Sequence, residues 1–224
     1  MNTLAKRLFA RLTPLRLLFM IFGVFCCGTG IACFRMSAFG ADPCTVMNLG
    51  VATLFHSTQG IVQPVTNCLI LLIMLWRDRK MLGIGTVVNM LAVGIVADMW
   101  VYLLSGTVQA LGAGIPLRIV LFVLGMLIST FGVGTYLSAD LGVAPYDSIA
   151  IILEKAFRGR FSFGFFRIVW DAFATFAGAV FCLVAGESVW SILGVGTLVI
   201  VCFFGPMAQF FRAKGEKTLQ KHHA

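Results

Sequence analysis

Six stretches of this chain are long and apolar enough to cross a bilayer, and that alone removes most folds from consideration. A spanning helix needs about 20 consecutive, mostly apolar residues. Residues 17–39, 58–76, 82–105, 117–138, 162–185 and 190–211 meet that length. The second is the least apolar, because it holds Gln63, Pro64 and Asn67. Composition agrees: 59% of the residues are hydrophobic and 12% charged, against roughly 25% charged in a soluble domain. A soluble protein so composed would lack the polar residues to cover its surface, and a bilayer removes that need. The run from Leu17 to Phe39 also exceeds the roughly 7–15-residue core of a cleaved signal peptide. A retained signal-anchor helix is therefore expected.

The formal net charge of +8 reads as membrane orientation and not as nucleic-acid binding, because the basic residues sit in short clusters between the apolar runs. With the N-terminus inside, the inner set is Lys6, Arg7, Arg11, Arg16, Arg77, Arg79, Lys80, Lys155, Arg158, Arg160, Arg167, Arg212, Lys214, Lys217 and Lys221. Only Arg35 and Arg118 fall outside. That asymmetry predicts six spans with both termini in the cytoplasm. Interfacial rings are expected at Trp76 and Tyr136 on the inner side, and at Trp100, Tyr102 and Trp190 on the outer side. Residues 43–56 and 145–158 are too short to span and too apolar for free loops. Each opens with a proline, which suits a helix's first turn, so short interfacial or re-entrant helices are expected there.

The chain also repeats itself. GVFCCGTGIACFRMSAFGADPCT from Gly23 aligns with GMLISTFGVGTYLSADLGVAPYD from Gly125, so that Gly23 meets Gly125, Gly30 meets Gly132, Gly40 meets Gly142 and Pro43 meets Pro145. With small gaps, Gly60 pairs with Gly164, Asn67 with Asp171, GIGT at 83–86 with GVGT at 194–197, Gly94 with Gly205, and Asp98 with Gln209. The organisation expected is a basic cytoplasmic N-terminus over 1–16, one repeat of three spans over 17–105, a second over 117–211, and a basic cytoplasmic tail over 212–224. Three spans per unit place the second unit upside down relative to the first, a recurring plan of secondary transporters. The fold class expected is an all-α membrane protein: six transmembrane helices in two inverted three-helix repeats, each with a short interfacial or re-entrant helix.

Ionisable groups inside a bilayer are costly and therefore informative. Asp171 lies within the fifth span and its mate Asn67 within the second. They read either as a cation- or proton-coupled site or solute contact, or as an interhelical hydrogen bond worth about 1 kcal/mol. Arg167 stands at i−4 to Asp171, which allows an ion pair on one helix face; it could equally snorkel to the inner headgroups. Asp98 and Gln209 lie near opposite ends of their spans, where gating and plain interfacial exposure are both open readings. In the turns FGADPCT and LGVAPYD, Gly40 and Gly142 permit tight bends and Pro43 and Pro145 start helices. There Asp42 is placed to cap one helix and Asp147 to sit at N3 of the other. The glycines at 23, 28, 30, 125, 132 and 134 predict that the first and fourth spans pack closely and centrally.

Other chemistry finds little footing. The seven cysteines form no CxxC or zinc spacing and read as small packing hydrophobes. His56 is the only histidine before the tail, and there is no HExxH, GxSxG or paired-carboxylate motif. Neither an enzyme, nor a cofactor, nor a metal site, nor a nucleic-acid partner is expected; the partners expected are the bilayer and a small polar solute or ion.

The combination of a Gly-rich helix, GxxPxD with Pro145 and Asp147, a short helix and a span opening at Gly164 resembles the YczE/YyaS/YitT family of bacterial membrane proteins, over about residues 18–211. The first repeat departs from the pattern, with Thr45 where the second has Asp147. The resemblance implies a multi-span protein of the bacterial inner membrane. Function then divides three ways. A transporter would line a water-reachable path with Asp171, Asn67, Asp147 and Asp98. A non-transporting accessory or regulatory protein would show a sealed core and a partner surface. Lipid translocation would need a groove open sideways to the bilayer.

Overall fold

The computed structural model describes residues 12–112 and 114–221. Within them the chain forms eight α-helices: α1 (Pro14–Ser37), α2 (Pro43–Leu54), α3 (Gln59–Arg77), α4 (Ile84–Ala110), α5 (Ile115–Ser138), α6 (Pro145–Ala156), α7 (Phe163–Val184) and α8 (Val195–Lys221). All except the short α2 and α6 are long and apolar enough to cross a membrane. The protein is thus an integral, multi-pass membrane protein with the six spanning segments expected. Their ends shift for local reasons. α4 continues to Ala110, so Trp100 and Tyr102 lie within the helix and not at its end. α8 opens at Val195, after a 3₁₀ turn at Val189–Ser191, and runs unbroken to Lys221 through what the sequence suggested was a tail. The N-terminal segment 1–11, with Lys6, Arg7 and Arg11, and the last three residues, with His222 and His223, lie outside the described residues.

Helix starts follow capping chemistry. Thr13 accepts from the Arg16 amide at 3.3 Å ahead of Pro14. Asp42 accepts from the Thr45 amide at 3.2 Å and its hydroxyl at 2.6 Å ahead of Pro43. Ser162 accepts from the Phe165 amide at 3.4 Å. Such side-chain acceptors satisfy amides that have no partner in the first turn.

The turns that lead into α2 and α6 share one backbone path. Ala38 and Asp140 both have φ of 53°, followed by Gly40 at 119° and Gly142 at 122°, values that favour glycine at the latter two. Each turn is fastened to the start of a distant helix. The Phe39 carbonyl accepts from the Gly196 amide at 2.8 Å, and the Leu141 carbonyl accepts from the Gly85 amide at 2.9 Å.

α1 and α5 are the most buried of the spanning helices and α4 the least. Glycine makes the central crossing possible. A methyl group on Gly23 would lie 2.6 Å from the Tyr136 amide nitrogen, and one on Gly132 would lie 2.6 Å from that of Cys27. α2 packs on α7, where Gly50 faces Gly178 with no room for a side chain on either. α6 packs on α3 and α7. The connection between α3 and α4 is tied to the end of α6 by Lys155 Nζ, 2.7 Å from Asp78 Oδ2. That hydrogen bond lowers the Asp78 carboxyl from its ordinary value.

Two sequence expectations need correction. Tyr136 is not an interfacial ring: it is 1% exposed, because Gly23 lets α1 close over it. Cys68 and Cys202 are exposed on the bundle's outside; only some of the cysteines fill the core.

Candidate functional site

The polar centre of the bundle is a single arginine held between two aspartates. Arg167 Nε donates to Asp171 Oδ1 at 3.0 Å and to Oδ2 at 3.1 Å, across one turn of α7. Its Nη1 donates to Asp147 Oδ1, from the first turn of α6. Two tyrosines complete the cluster: Tyr136 of α5 donates to Asp147 Oδ2, and Tyr146 of α6 donates to Asp171 Oδ1 at 2.8 Å. The guanidinium also stands 4.9 Å from the Tyr146 ring centre and 5.1 Å from that of Phe204, within cation–π range. Arg167 is buried and Asp171 wholly so. Arg167 therefore does not snorkel; two carboxylates outcompete the headgroups for it. Asp147 does occupy N3 of α6, as expected, but its side chain serves the cluster and not the helix end.

Beside this cluster lies a cavity of about 210 Å³. Asp147, Arg167 and Tyr146 form one wall, and Asn67 and Gln63 of α3 with Asn89 of α4 form another. Ser129 of α5 lines it too, with its Oγ buried and without a hydrogen-bond partner. Both short helices begin at this cavity, α2 with Pro43 and α6 with Pro145. The α6 start has no side-chain cap, and Asp147 at N3 sets a negative charge in its first turn, where it complements the partial positive charge of the helix end.

The cavity adjoins a second hollow of about 480 Å³ around Arg35, Gly40, Asp42 and Trp190. Ile31, Phe34, Arg35, Asp42 and Thr45 line both. Toward the Arg35 end of the bundle the centre is thus open. Toward the Met81 end it is closed by buried side chains, among them Met74, Met81, Tyr136 and Phe163.

The sequence candidates separate accordingly. Asn67, Asp147 and Arg167 line the cavity. Asp171, expected on the path, is instead screened from it by Arg167 and Tyr146, because its oxygens are taken up by those two donors. Asp98 is not in the cavity: it sits at the surface, 2.5 Å from Arg35 Nη1. Gln209 is outside it too, accepting from the Gly164 amide at 2.8 Å where α7 meets α8. Gly40 and Pro43, with Gly142 and Pro145, form the turns described above. Asn89 and Gln63, weaker gating or entry candidates from the sequence, line the cavity, whereas Tyr136, Tyr146 and Ser129 carry weight at this site that their sequence context did not suggest.

A family model, described as a family of unknown function (DUF6198), matches residues 14–213. An uncharacterized protein of Haemophilus influenzae is 23% identical over 193 residues, covering 86% of this chain and 81% of that protein. The uncharacterized protein YyaS of Bacillus subtilis is 21% identical over 189 residues, covering 84% of this chain and 88% of its own. The uncharacterized membrane protein YczE of the same organism is 27% identical over 118 residues, about half of each chain (53%). The sequence resemblance pointed to this YczE/YyaS type of membrane protein, and the relatives bear it out. No solved structure matches the chain.

Proposed function

The chain belongs to the DUF6198 family, and we propose that it is a small secondary transporter that carries a polar solute or ion by rocking one half against the other. One observation carries this reading: a polar cavity beside a buried ion cluster, open to one end of the bundle and closed to the other. The cavity of about 210 Å³, below the roughly 300–1,000 Å³ of drug-sized sites, suits a small solute. The residues available there can bind and orient a polar solute, which suits a carrier.

In this reading the halves 17–105 and 117–211 are inverted repeats. The equal turns at Gly40 and Gly142 and their equal fastenings to Gly196 and Gly85 support it, as does the pairing of each short helix with a spanning helix of the other half. We read the protein as one of the bacterial inner membrane with both termini in the cytoplasm, an orientation that the charge asymmetry supports. The Arg35 end then faces outward, and the state described is open to the outside.

A second reading, translocation of a lipid or other amphiphile, is favoured by one feature. α3 and α4 make almost no contact along their length, and Gln63, Asn67, Asn89 and Gly94 line the cavity from these two helices, leaving a sideways opening. An accessory protein with a sealed core fits the cavity less well.

The test is thiol labelling of cysteine introduced by Asn67→Cys, in a background without the seven native cysteines, using a membrane-impermeant reagent on right-side-out and inverted vesicles. Labelling from the outside alone is expected, with Asp171→Cys unreactive behind Arg167 and Tyr146. No labelling at position 67 from either side, in protein shown to be folded, would turn the assignment to an accessory protein.

A further inference from the structure

The ion cluster does not balance its charge. Arg167 supplies one positive charge, and Asp147 and Asp171 supply two negative charges. The other titratable groups facing the pair are Tyr136 from α5, Tyr146 from α6, Cys27 from α1 and Cys44 from α2. Phenols and thiols are neutral near neutral pH, so none offsets the excess. α3 and α4 contribute the amides of Asn67 and Asn89, and α8 contributes the Phe204 ring. Nearer the open end, Asp42 is occupied with Thr45, and Arg35 is already paired with Asp98. One negative charge is left in the middle of the bundle, where an uncompensated ion is costly.

Two kinds of species could cancel it, and the geometry separates them. A metal cation needs several free oxygen ligands. Here Asp147 accepts from Arg167 and Tyr136 on separate oxygens, and Asp171 accepts from Arg167 on both. A cation placed among them would also stand beside the guanidinium. A proton needs one lone pair on one carboxylate. When it binds, the adjacent tyrosine hydroxyl can turn from donor to acceptor, while Arg167 keeps the remaining carboxylate as its counter-ion. Two carboxylates that share a single cationic partner repel one another, and that repulsion favours a proton on one of them. Asp147 lies on the cavity wall, so the proton exchanges with water there: hydronium gives its proton to the carboxylate and leaves as water.

We propose that Asp147 and Asp171 form a proton-binding pair filled through the central cavity, and, resting on the transport reading above, that this proton is the ion coupled to solute movement. The proton site is defined by the charge count and the bonded oxygens, whatever the solute.

The experiment is infrared difference spectroscopy of the full chain in lipid nanodiscs, titrated from mildly alkaline to mildly acid buffer. A carbonyl band of a buried, protonated carboxyl group is expected to grow as the pH falls. It should be lost in both Asp147→Asn and Asp171→Asn, and move in frequency in Tyr136→Phe, which keeps both acids and the fold. Adding sodium chloride at fixed pH should leave the band unchanged. Absence of the band in the wild-type chain, or its survival in both Asn variants, would overturn the proposal; so would its disappearance with sodium, which would assign the pair to a metal cation. Failure of the transport reading is distinguishable, because it would appear as an unlabelled position 67 while the band persisted.

Discussion

The junction between α7 and α8 and the junction between α3 and α4 are written with matching residues and packed in opposite ways. In the first, a methyl on Gly205 would meet the Gly164 carbonyl oxygen at 2.5 Å and Arg167 Cβ at 2.9 Å, and Gln209 accepts from the Gly164 amide. In the second, a methyl on Gly94 would meet nothing within 4 Å, and one on Gly60 only the nearby Thr58 hydroxyl at 3.9 Å. Asp98, the counterpart of Gln209, is turned away to Arg35. The polar mates differ likewise: Asp171 is bonded on both oxygens, while Asn67 faces the cavity. A pattern of small residues therefore encodes the capacity for close approach, and whether the approach is made depends on the conformation. In the proposed cycle, these junctions are two gates caught in opposite positions.

The sharpest way to break that contrast is at the polar mates. Asp171→Ala leaves Asp147 as the counter-ion of Arg167 but strips the buried Arg167 Nε and Tyr146 hydroxyl of their acceptor, at about 1–3 kcal/mol for each buried donor left unpaired. Asn67→Ala, at the open cavity, should cost less than about 1 kcal/mol. Thermal unfolding of the detergent-solubilised variants measures both, and equal losses would mean that the two helices sit in equivalent environments after all.

Next come the glycines. Gly205→Val must force α7 and α8 apart and should cost about 1–3 kcal/mol. Gly94→Val enters open space and should stay within about 0.5 kcal/mol of the parent, on the same thermal assay. A large loss at Gly94 would show that α3 and α4 close on one another in the population measured.

The smallest effects belong to the end residues. Gln209→Ala gives up one hydrogen bond, about 1 kcal/mol, and should raise labelling of a cysteine at position 164 from the cytoplasmic face. Asp98→Asn breaks an exposed pair of the kind worth about 0.2–1 kcal/mol and should leave that labelling unchanged. Parallel changes in the two would erase the distinction between shut and open.

Much of the bundle was legible in the sequence because a bilayer imposes strict rules. Length and hydropathy marked all six spans. The glycines at 23 and 132 announced the central crossing, and Pro43 and Pro145 marked the two short helices to the residue. What could not be read was which polar groups meet. Asp147 was read as a helix-start residue and a path candidate, but its pairing with Arg167 and Tyr136 was hidden because those partners are 20 and 11 positions away in sequence. Tyr136 looked like an interfacial ring because nothing local reveals that α1 covers it. Asp171 was found, yet its exposure was misjudged: a polar residue in an apolar run signals that it is inside, and says nothing of whether water reaches it. The mismatch between the two junctions was equally hidden, since the sequence repeats at the points where the packing does not.

The fastening of each turn to the opposite half has a consequence for how the protein is made. The Ala41 carbonyl waits for the hydroxyl of Thr197, 156 residues later in the chain, and the Phe39 carbonyl waits for Gly196. At roughly 5–20 residues per second of synthesis, this turn leaves the ribosome roughly 8–30 s before those donors exist. During that interval the turn must draw its hydrogen bonds from water or from the insertion machinery, so the early half rests at the membrane's edge as an unfinished clasp. A chain interrupted before α8 would be inserted but never locked, and quality control could recognise it by that one unfastened loop.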